Sequence, residues 1–109
     1  MAFTVLLTED AADDLNDLYT FISQHESPAK AEYVLQQIEE KFTSLSEHPE
    51  RGVYPKELIA LGIRDYREIF FKPYRIIYSV DGENVYVYLI VDGRRDMPTL
   101  LQRRLFDVL

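Results

Sequence analysis

Apolar residues recur at every third or fourth position through the first half of this 109-residue chain. Two series show that spacing: Ala11, Leu15, Leu18 and Ile22, then Ala31, Leu35, Ile38, Phe42 and Leu45. Such spacing places apolar side chains on one face of a helix. Thr8 can cap the first helix, and Ser27 before Pro28 is typical of the start of the second.

Two such helices joined by a short link predict an antiparallel helical hairpin. The face of the first helix opposite its apolar series should be turned to solvent. That face carries four acidic residues: Asp10, Asp13, Asp14 and Asp17.

The second half changes to sequence that is rich in β-branched and aromatic residues. Arg75–Val80 and Val85–Val91 are two such runs, and Asp81-Gly82-Glu83-Asn84 between them predicts a tight hairpin turn. Alternation along the second run places four residues on one face: Val85, Val87, Leu89 and Val91. Both faces of the hairpin are largely apolar. We therefore expect it at the centre of a sheet that is covered on both sides, in part by a partner.

Three further segments extend this pattern: strands at Phe3–Leu7 and Tyr66–Phe71, and a connector, Glu50–Ile63, with a helical turn at Leu58–Leu61. Asp96 can cap a last helix, on which Leu101, Leu105 and Val108 share one side. The order β-α-α-β-β-β-α predicts one α+β domain over residues 1–109. We expect an antiparallel sheet with the N-terminal strand at its edge and the helices on one face.

Charge is unevenly distributed along the chain. The formal net charge is −7, yet residues 1–50 hold 11 acidic and 2 basic residues whereas residues 51–109 hold 8 acidic and 10 basic ones. This argues against a protein built to coat nucleic acid, and an anionic partner should meet the C-terminal half. The sequence has no cysteine, no apolar run of membrane-spanning length and no sign of a secretion leader. We therefore expect a cytoplasmic protein without disulfides or membrane contact.

Arg75, Arg94 and Arg95 are the candidate binding residues at one end of the central hairpin. As free guanidinium groups they would contact an acidic protein segment, a protein target or its bound DNA. Alternatively, Arg94 or Arg95 pairs with Asp92 or Asp96 and braces the turn into the last helix. For Arg75 the sequence leaves a partner contact and a structural role equally open.

Leu101 and Leu105 also allow two interpretations. Their side of the last helix either packs on the sheet or is left for the helix of a partner. The sequence contains no Gly-rich phosphate loop, no metal-ligand spacing and no nucleophile–base set. We therefore predict no catalytic residue, no metal and no cofactor.

An ordered set of segments resembles one known family. The set comprises Leu15 to Ile22, Ser27-Pro28 with Ala29 and Ala31, His48-Pro49 with Gly52, Tyr74-Arg75-Ile76-Ile77-Tyr78, and Val91-Asp92-Gly93-Arg94-Arg95-Asp96. Together these resemble the RelE/ParE toxin superfamily, and most closely its ParE branch, over nearly the whole chain. The family often has His where Asp92 stands.

The resemblance implies the toxin of a type II toxin–antitoxin module. It implies a cognate antitoxin that wraps the toxin, with DNA contacted only through the antitoxin or the target. ParE-like members inhibit DNA gyrase, whereas RelE-like members cut messenger RNA on the ribosome. A third alternative is a non-toxic homologue that serves only as the antitoxin's partner in repressing their operon.

Residue chemistry favours the ParE-like alternative. Cleavage of RNA needs a base, an acid and cations that stabilise the transition state. A RelE-like site would draw these from the sheet and the C-terminal segment, but 97–109 contains no Tyr, His, Lys or Glu. Arg67 is the one cation in the strand before the central hairpin. We therefore predict a toxin that inhibits DNA gyrase by binding and is not an enzyme.

Overall fold

The structure is a computed structural model that describes residues 2–106. Its main elements are β1 (Thr4–Leu7), α1 (Glu9–His25), α2 (Pro28–Thr43), α3 (Lys56–Ile59), β2 (Arg67–Phe71), β3 (Tyr74–Asp81), β4 (Asn84–Asp92) and α4 (Met97–Leu101). A 3-10 turn, Ser44–Ser46, follows α2, and a π-helical turn, Gln102–Phe106, follows α4. The four strands form one sheet in the order β1-β4-β3-β2. The predicted α+β order and the edge position of the N-terminal strand are confirmed.

Both long helices begin at the predicted caps. Thr8 Oγ1 accepts a hydrogen bond from the Ala11 N–H at 3.1 Å, and Ser27 Oγ accepts one from the Lys30 N–H at 3.0 Å. Each bond satisfies one of the N–H groups that the first turn of a helix leaves without a backbone acceptor. The two helices then pack on each other and on one face of the sheet.

The sheet is mixed, where the sequence predicted antiparallel pairing throughout. β2, β3 and β4 are antiparallel neighbours, but β1 runs parallel to β4. The path of the helical hairpin explains this direction. The Thr8 N–H donates to the Val87 carbonyl, so α1 continues in the direction of β4. α2 then returns the chain to the start of β1, where the Phe3 N–H donates to the Ser46 carbonyl. The three-strand meander therefore starts from the same end of the sheet as β1.

A β-bulge divides the central hairpin. The register of β3 against β4 shifts between Ile77 and Tyr78, and Tyr88 is the extra residue on β4. An extra residue reverses the alternation of side chains beyond it. Val87 therefore faces the long helices, whereas Leu89 faces the opposite side. The prediction that four residues of β4 share one face is wrong beyond the bulge for this reason.

The second face of the sheet is covered by the chain itself. Leu58 of α3 and Met97 and Leu101 of α4 pack there against Ile77 and Leu89. The helices thus lie on both faces, not on one as predicted, because alternating residues of the central strands are apolar on each side. Val108, which was predicted to share a side with Leu101, lies outside the described residues.

Tyr78 fixes the start of the connector to the sheet. Its hydroxyl donates to the Pro49 carbonyl at 2.7 Å and accepts from the Gly52 N–H at 3.0 Å. A Cβ added at Gly52 would lie 2.5 Å from that hydroxyl and 2.8 Å from the Glu68 carbonyl oxygen. Only glycine therefore allows the connector to approach so closely.

Removing this hydroxyl should destabilise the fold. Tyr78→Phe leaves a buried carbonyl and a buried N–H without their partner, at a cost of about 1–3 kcal/mol. Urea unfolding at neutral pH would measure the difference. Tyr86→Phe is the matched control, since Tyr86 is half-buried and accepts one long bond, 3.3 Å, from Asn84. Equal stabilities of the two variants would contradict this role of Tyr78.

Candidate functional site

Arg75 lies near the start of β3, on the sheet face opposite the long helices, and is buried. Its Nη1 and Nη2 donate to the two carboxylate oxygens of Glu57 at 2.8 and 2.7 Å, and its Nε donates to Glu68 Oε1 at 2.7 Å. Glu57 comes from α3 and Glu68 from β2. One guanidinium group therefore joins the connector to two strands, in the bidentate geometry that makes arginine–carboxylate pairs strong.

The two carboxylates respond differently to this arrangement. Burial raises the pKa of Glu68, and its hydrogen bond from Arg75 opposes that effect without cancelling it. The bidentate hydrogen bond from Arg75 lowers the pKa of Glu57, which lies nearer the surface. Hydrogen bonds to Glu57 and then to Glu68 raise the pKa of Arg75 above its ordinary value. The site thus contains a permanent cation whose partners belong to the same chain.

Arg94 and Arg95 are adjacent in sequence but diverge in space. Arg94 folds back on Asp92, with 2.6 Å between Nη2 and Oδ2, although 79% of its side chain is exposed. Hydrogen bonding from Arg94 lowers the pKa of Asp92. Arg95 lies on the other side, in a groove between α1 and the end of β4 that includes Asp17 and Phe21. The structure therefore brings Arg94 towards Arg75 and separates Arg95 from both.

A cleft of about 770 Å³ opens beside Arg75, between the connector and the end of the hairpin. We call it the cationic cleft; the residues that define it are Tyr54, Lys56, Phe70, Lys72, Arg75 and Arg94. Its acidic lining residue, Glu68, is already paired with Arg75. Within residues 2–106, Lys56 and Lys72 form no salt bridge. The cleft is therefore a locally positive surface on an acidic protein.

Leu101 and Leu105 belong to the core of the second sheet face. Leu101 is 1% exposed, and Leu105 is partly buried in the same cluster beside Tyr66. Partner contact through Leu101 would require α4 to move, just as contact through Arg75 would require its ion pairs to open. These contacts stay predictions, whereas Arg94 and Arg95 are accessible in the structure as it stands.

Asp14 was predicted on the solvent face of α1 but is 6% exposed. β1 pairs with β4 only as far as Val87, so the edge of β4 beyond it needs other partners. Asp14 accepts from the Ile90 N–H at 2.9 Å and forms a bidentate pair with Arg104. Arg104 also donates to the Tyr88 carbonyl at 3.2 Å. The acidic stripe of α1 is therefore interrupted by a residue that anchors the C-terminal turn.

Sequence reasoning missed the partners of Arg75 and the lysines of the cleft. Glu68 gave a usable signal, because a charged residue inside a strand with a buried face must find a partner there. Glu57 gave none, since no local pattern shows where a connector crosses a sheet. Nothing in the sequence distinguishes Lys56 and Lys72 from other surface lysines. They line the same cleft only because the connector crosses the sheet there.

The side chains that line the cleft beside Arg75 and whose types can transfer a proton are Glu68, Tyr54, Lys56 and Lys72. Glu68 is engaged by Arg75, and the two histidines are exposed, His25 at the end of α1 and His48 in the turn after Ser44–Ser46. Over residues 2–106, no group of three or more His, Asp or Glu side chains is arranged to hold a metal ion. No helix in the same range is long and apolar enough to cross a membrane. The arrangement is suited to binding an anionic or mixed surface.

A family comparison decides between the classes of protein that share this fold. Residues 5–97 match the model of the family described as the ParE toxin of the type II toxin–antitoxin system parDE. The chain belongs to the ParE toxin family. Toxin ParE3 of Caulobacter vibrioides is 27% identical to it over 100 residues, which cover 92% of this chain and 96% of the relative.

Two solved structures share the fold of this ParE-family toxin. A chromosomal ParDE system from P. aeruginosa contains a chain with a TM-score of 0.71 and 22% identity, covering 84% of this chain and 96% of the other. A doubly substituted E. coli RelE toxin in the free state gives a TM-score of 0.63 and 18% identity, covering 96% of this chain and all of the other, 100%. At these identities the likeness shows the fold alone.

Replacing Arg75 should destabilise the protein, and more strongly at neutral than at acidic pH. Arg75→Ala leaves two carboxylates without their cation, at a cost of about 3–5 kcal/mol at pH 7 for a broken buried pair. Glu57 has a lowered pKa, so its stabilising contribution is present above its unfolded value of 4.5 and is lost as pH falls through the folded value. Burial raises the pKa of Glu68 even with Arg75 present, so without Arg75 its ionised form opposes folding more strongly as pH rises.

Urea unfolding of Arg75→Ala at neutral pH and near pH 4 would test this dependence. The difference from the wild type should shrink at the lower pH, where protonation relieves the unpaired carboxylates. Arg94→Ala is the control, since its side chain is largely exposed, and at both pH values its effect on stability should be much smaller than that of Arg75→Ala. A cost for Arg75→Ala that does not change with pH would contradict the ion-pair account.

Proposed function

We propose that this ParE-family toxin inhibits DNA gyrase by binding and that a cognate antitoxin neutralises it. Family membership over residues 5–97 is the observation that carries the proposal. The geometry around Arg75 supports a mechanism without covalent chemistry, because this cation is enclosed by Glu57 and Glu68. A gyrase target would place the toxin in the cytoplasm.

The accessible cations are the proposed means of contact. Lys56, Lys72 and Arg94 line the cationic cleft and are exposed, and Arg95 lies in the groove beside α1. Positive groups at the rim of an interface speed association and fix orientation, and exposed aromatic side chains add area that can be desolvated. Binding at this end of the hairpin would hold gyrase in one step of its supercoiling cycle.

A RelE-like endoribonuclease is the second candidate, and the RelE fold likeness is the observation that favours it. Its test is built into the same experiment as the test for gyrase. The third candidate, a non-toxic partner of the antitoxin in operon repression, would be inactive in both assays.

Supercoiling by purified gyrase and protein synthesis in a purified translation mixture should be measured with the same toxin preparation. We expect inhibition of supercoiling, no effect on translation, and relief when the antitoxin encoded beside the toxin is added. Lys72→Glu combined with Arg94→Glu should weaken inhibition by about tenfold or more, since charge reversal opposes binding at the cleft. Lys41→Glu, a reversal on α2 away from the cleft, should inhibit like the wild type.

The pattern of outcomes separates the three candidates. Arrest of translation with intact supercoiling would establish the ribonuclease alternative in place of this proposal. Activity in neither assay would leave the repression partner. Equal inhibition by the cleft variant and the wild type would show that gyrase is contacted elsewhere.

A further inference from the structure

The C-terminal turn, Gln102–Phe106, is attached to the domain mainly through one side chain. It is π-helical, and none of its five residues is buried. Arg104 forms a bidentate ion pair with Asp14, which lies 90 positions earlier in the chain, on α1. The α4 helix before the turn is different, because it buries three apolar residues in the core of the second sheet face. The turn can therefore leave the sheet at the cost of this ion pair and of the contact between Phe106 and Tyr66, while α4 stays packed.

Asp14 also holds the edge of β4. Its Oδ2 accepts from the Ile90 N–H at 2.9 Å and from Arg104 Nη1 at 3.0 Å, and its Oδ1 accepts from Arg104 Nη2. The Asp14 side chain is only 6% exposed, and a carboxylate buried to this extent is costly to leave without a cation. Because Asp14 stays bonded to Ile90, it cannot follow Arg104 into solvent. Release of the turn is therefore unfavourable unless another cation replaces Arg104.

A second arginine lies close to the same carboxylate. Arg95 and Asp14 line one groove of about 420 Å³ between α1 and the end of β4, together with Asp17. Arg95 is exposed and, within residues 2–106, forms no salt bridge. Both oxygens of Asp14 already accept hydrogen bonds, so Arg95 can form a bidentate pair with this carboxylate only after Arg104 withdraws.

We propose that Asp14 is the fixed centre of a two-state switch. It pairs with Arg104 when the C-terminal turn is closed, as in this structure, and with Arg95 when the turn is released. The exchange keeps the buried carboxylate paired with a cation in both states. It thereby lowers the free energy that release of the turn requires.

Release of the turn changes the surface on the second face of the sheet. The Tyr88 carbonyl loses the donor that Arg104 supplies at 3.2 Å, and Phe106 leaves the ring of Tyr66. Leu105, which is partly buried in the closed state, becomes accessible. The switch thus supplies the movement that partner contact through Leu105 requires. It concerns the toxin alone and does not depend on the identity of the target.

The alternative is a permanent brace, in which Arg104 never leaves Asp14 and Arg95 belongs only to the outer surface. Two observations favour the exchange. A single π-helical turn of five residues has little stability of its own, and an unpaired arginine shares a groove with the carboxylate. The closed state is favoured electrostatically: hydrogen bonding to Asp14 raises the pKa of Arg104, and the nearby Asp10 and Asp13 act in the same direction.

Amide hydrogen exchange in the whole toxin, read residue by residue from nitrogen-15 spectra, tests the switch. The Leu105 and Phe106 amides report opening of the turn, whereas the Ile90 amide, which Asp14 holds in both states, reports global unfolding. The turn amides should exchange at least about tenfold faster than the Ile90 amide, since local opening needs less free energy than global unfolding. Arg104→Ala should speed the turn amides by about tenfold or more and change Ile90 much less.

Arg95→Ala separates the switch from the brace. Without the replacement cation the released state leaves a buried carboxylate unpaired, so the turn amides should exchange about three- to tenfold more slowly than in the wild type. A brace predicts no change on removal of this exposed arginine. Arg103→Ala is the matched control, because it also removes one exposed arginine, and the remaining turn amides should exchange as in the wild type.

Asp14→Asn provides a second test of the same coupling. Asparagine keeps an oxygen for the Ile90 N–H but removes the negative charge for which the two arginines compete. In this background Arg95→Ala should no longer slow the turn amides. The two arginine substitutions should also be strongly non-additive in the native background, since each arginine replaces the other at one carboxylate.

The proposal is refuted if Arg95→Ala leaves the turn amides unchanged or speeds their exchange. Equal slowing in the Asp14→Asn background would likewise refute it, because the effect would then not pass through Asp14. Turn amides that exchange only together with Ile90 would establish the permanent brace. None of these measurements uses gyrase, so the failure of the proposed target and the failure of the switch are seen separately.

Discussion

The hydrogen bonds from Arg75 to Glu57 and Glu68 hold the connector against the second face of the sheet, which is the face opposite the long helices. The central strands are apolar on both faces, so one pair of helices cannot bury them. The connector and α4 complete the burial, yet the connector helix is only four residues long and cannot be stable by itself. A buried guanidinium group that reaches both the connector and the strands supplies the missing attachment, at the cost of desolvating three charges.

This attachment also shapes the exposed surface. Because Arg75 is paired with Glu57 and Glu68 inside the protein, the positive charges available at the cleft are those of its rim, from Lys56, Lys72 and Arg94. A buried, paired cation keeps a fixed position and does not titrate in the physiological range. The rim cations keep their side-chain freedom and can adapt to a partner. The cleft thus has the geometry of a recognition surface, with a rigid base formed by the ion pairs of Arg75 and mobile cations at its rim.

Local patterns predicted the local structure well. Thr8, Ser27 and Asp96 cap the helices as expected, and Gly82 takes the positive φ of 61° that the hairpin turn needs. These features depend on a few neighbouring residues, so the sequence displays them directly. The ParE resemblance, carried by ordered segments over most of the chain, is confirmed by the family match.

What the sequence could not show depends on contacts between distant segments. No turn residue marks the bulge at Tyr88, which reverses the faces of β4. The burial of Asp14 follows from the short length of β1, which leaves the edge of β4 to be satisfied by a side chain. The pairing of Arg75 with Glu57 likewise required knowing where the connector crosses the sheet.

The central claim is that Arg75 is held in place by Glu57 and Glu68 of its own chain. Nitrogen-15 spectra of the arginine Nε–H groups test it most directly. The account predicts a Nε–H signal for Arg75 that exchanges slowly with water at neutral pH and stays slow when a partner binds. Exchange as fast as that of the exposed Arg95 in the free toxin, or release of the Arg75 signal on binding, would contradict it.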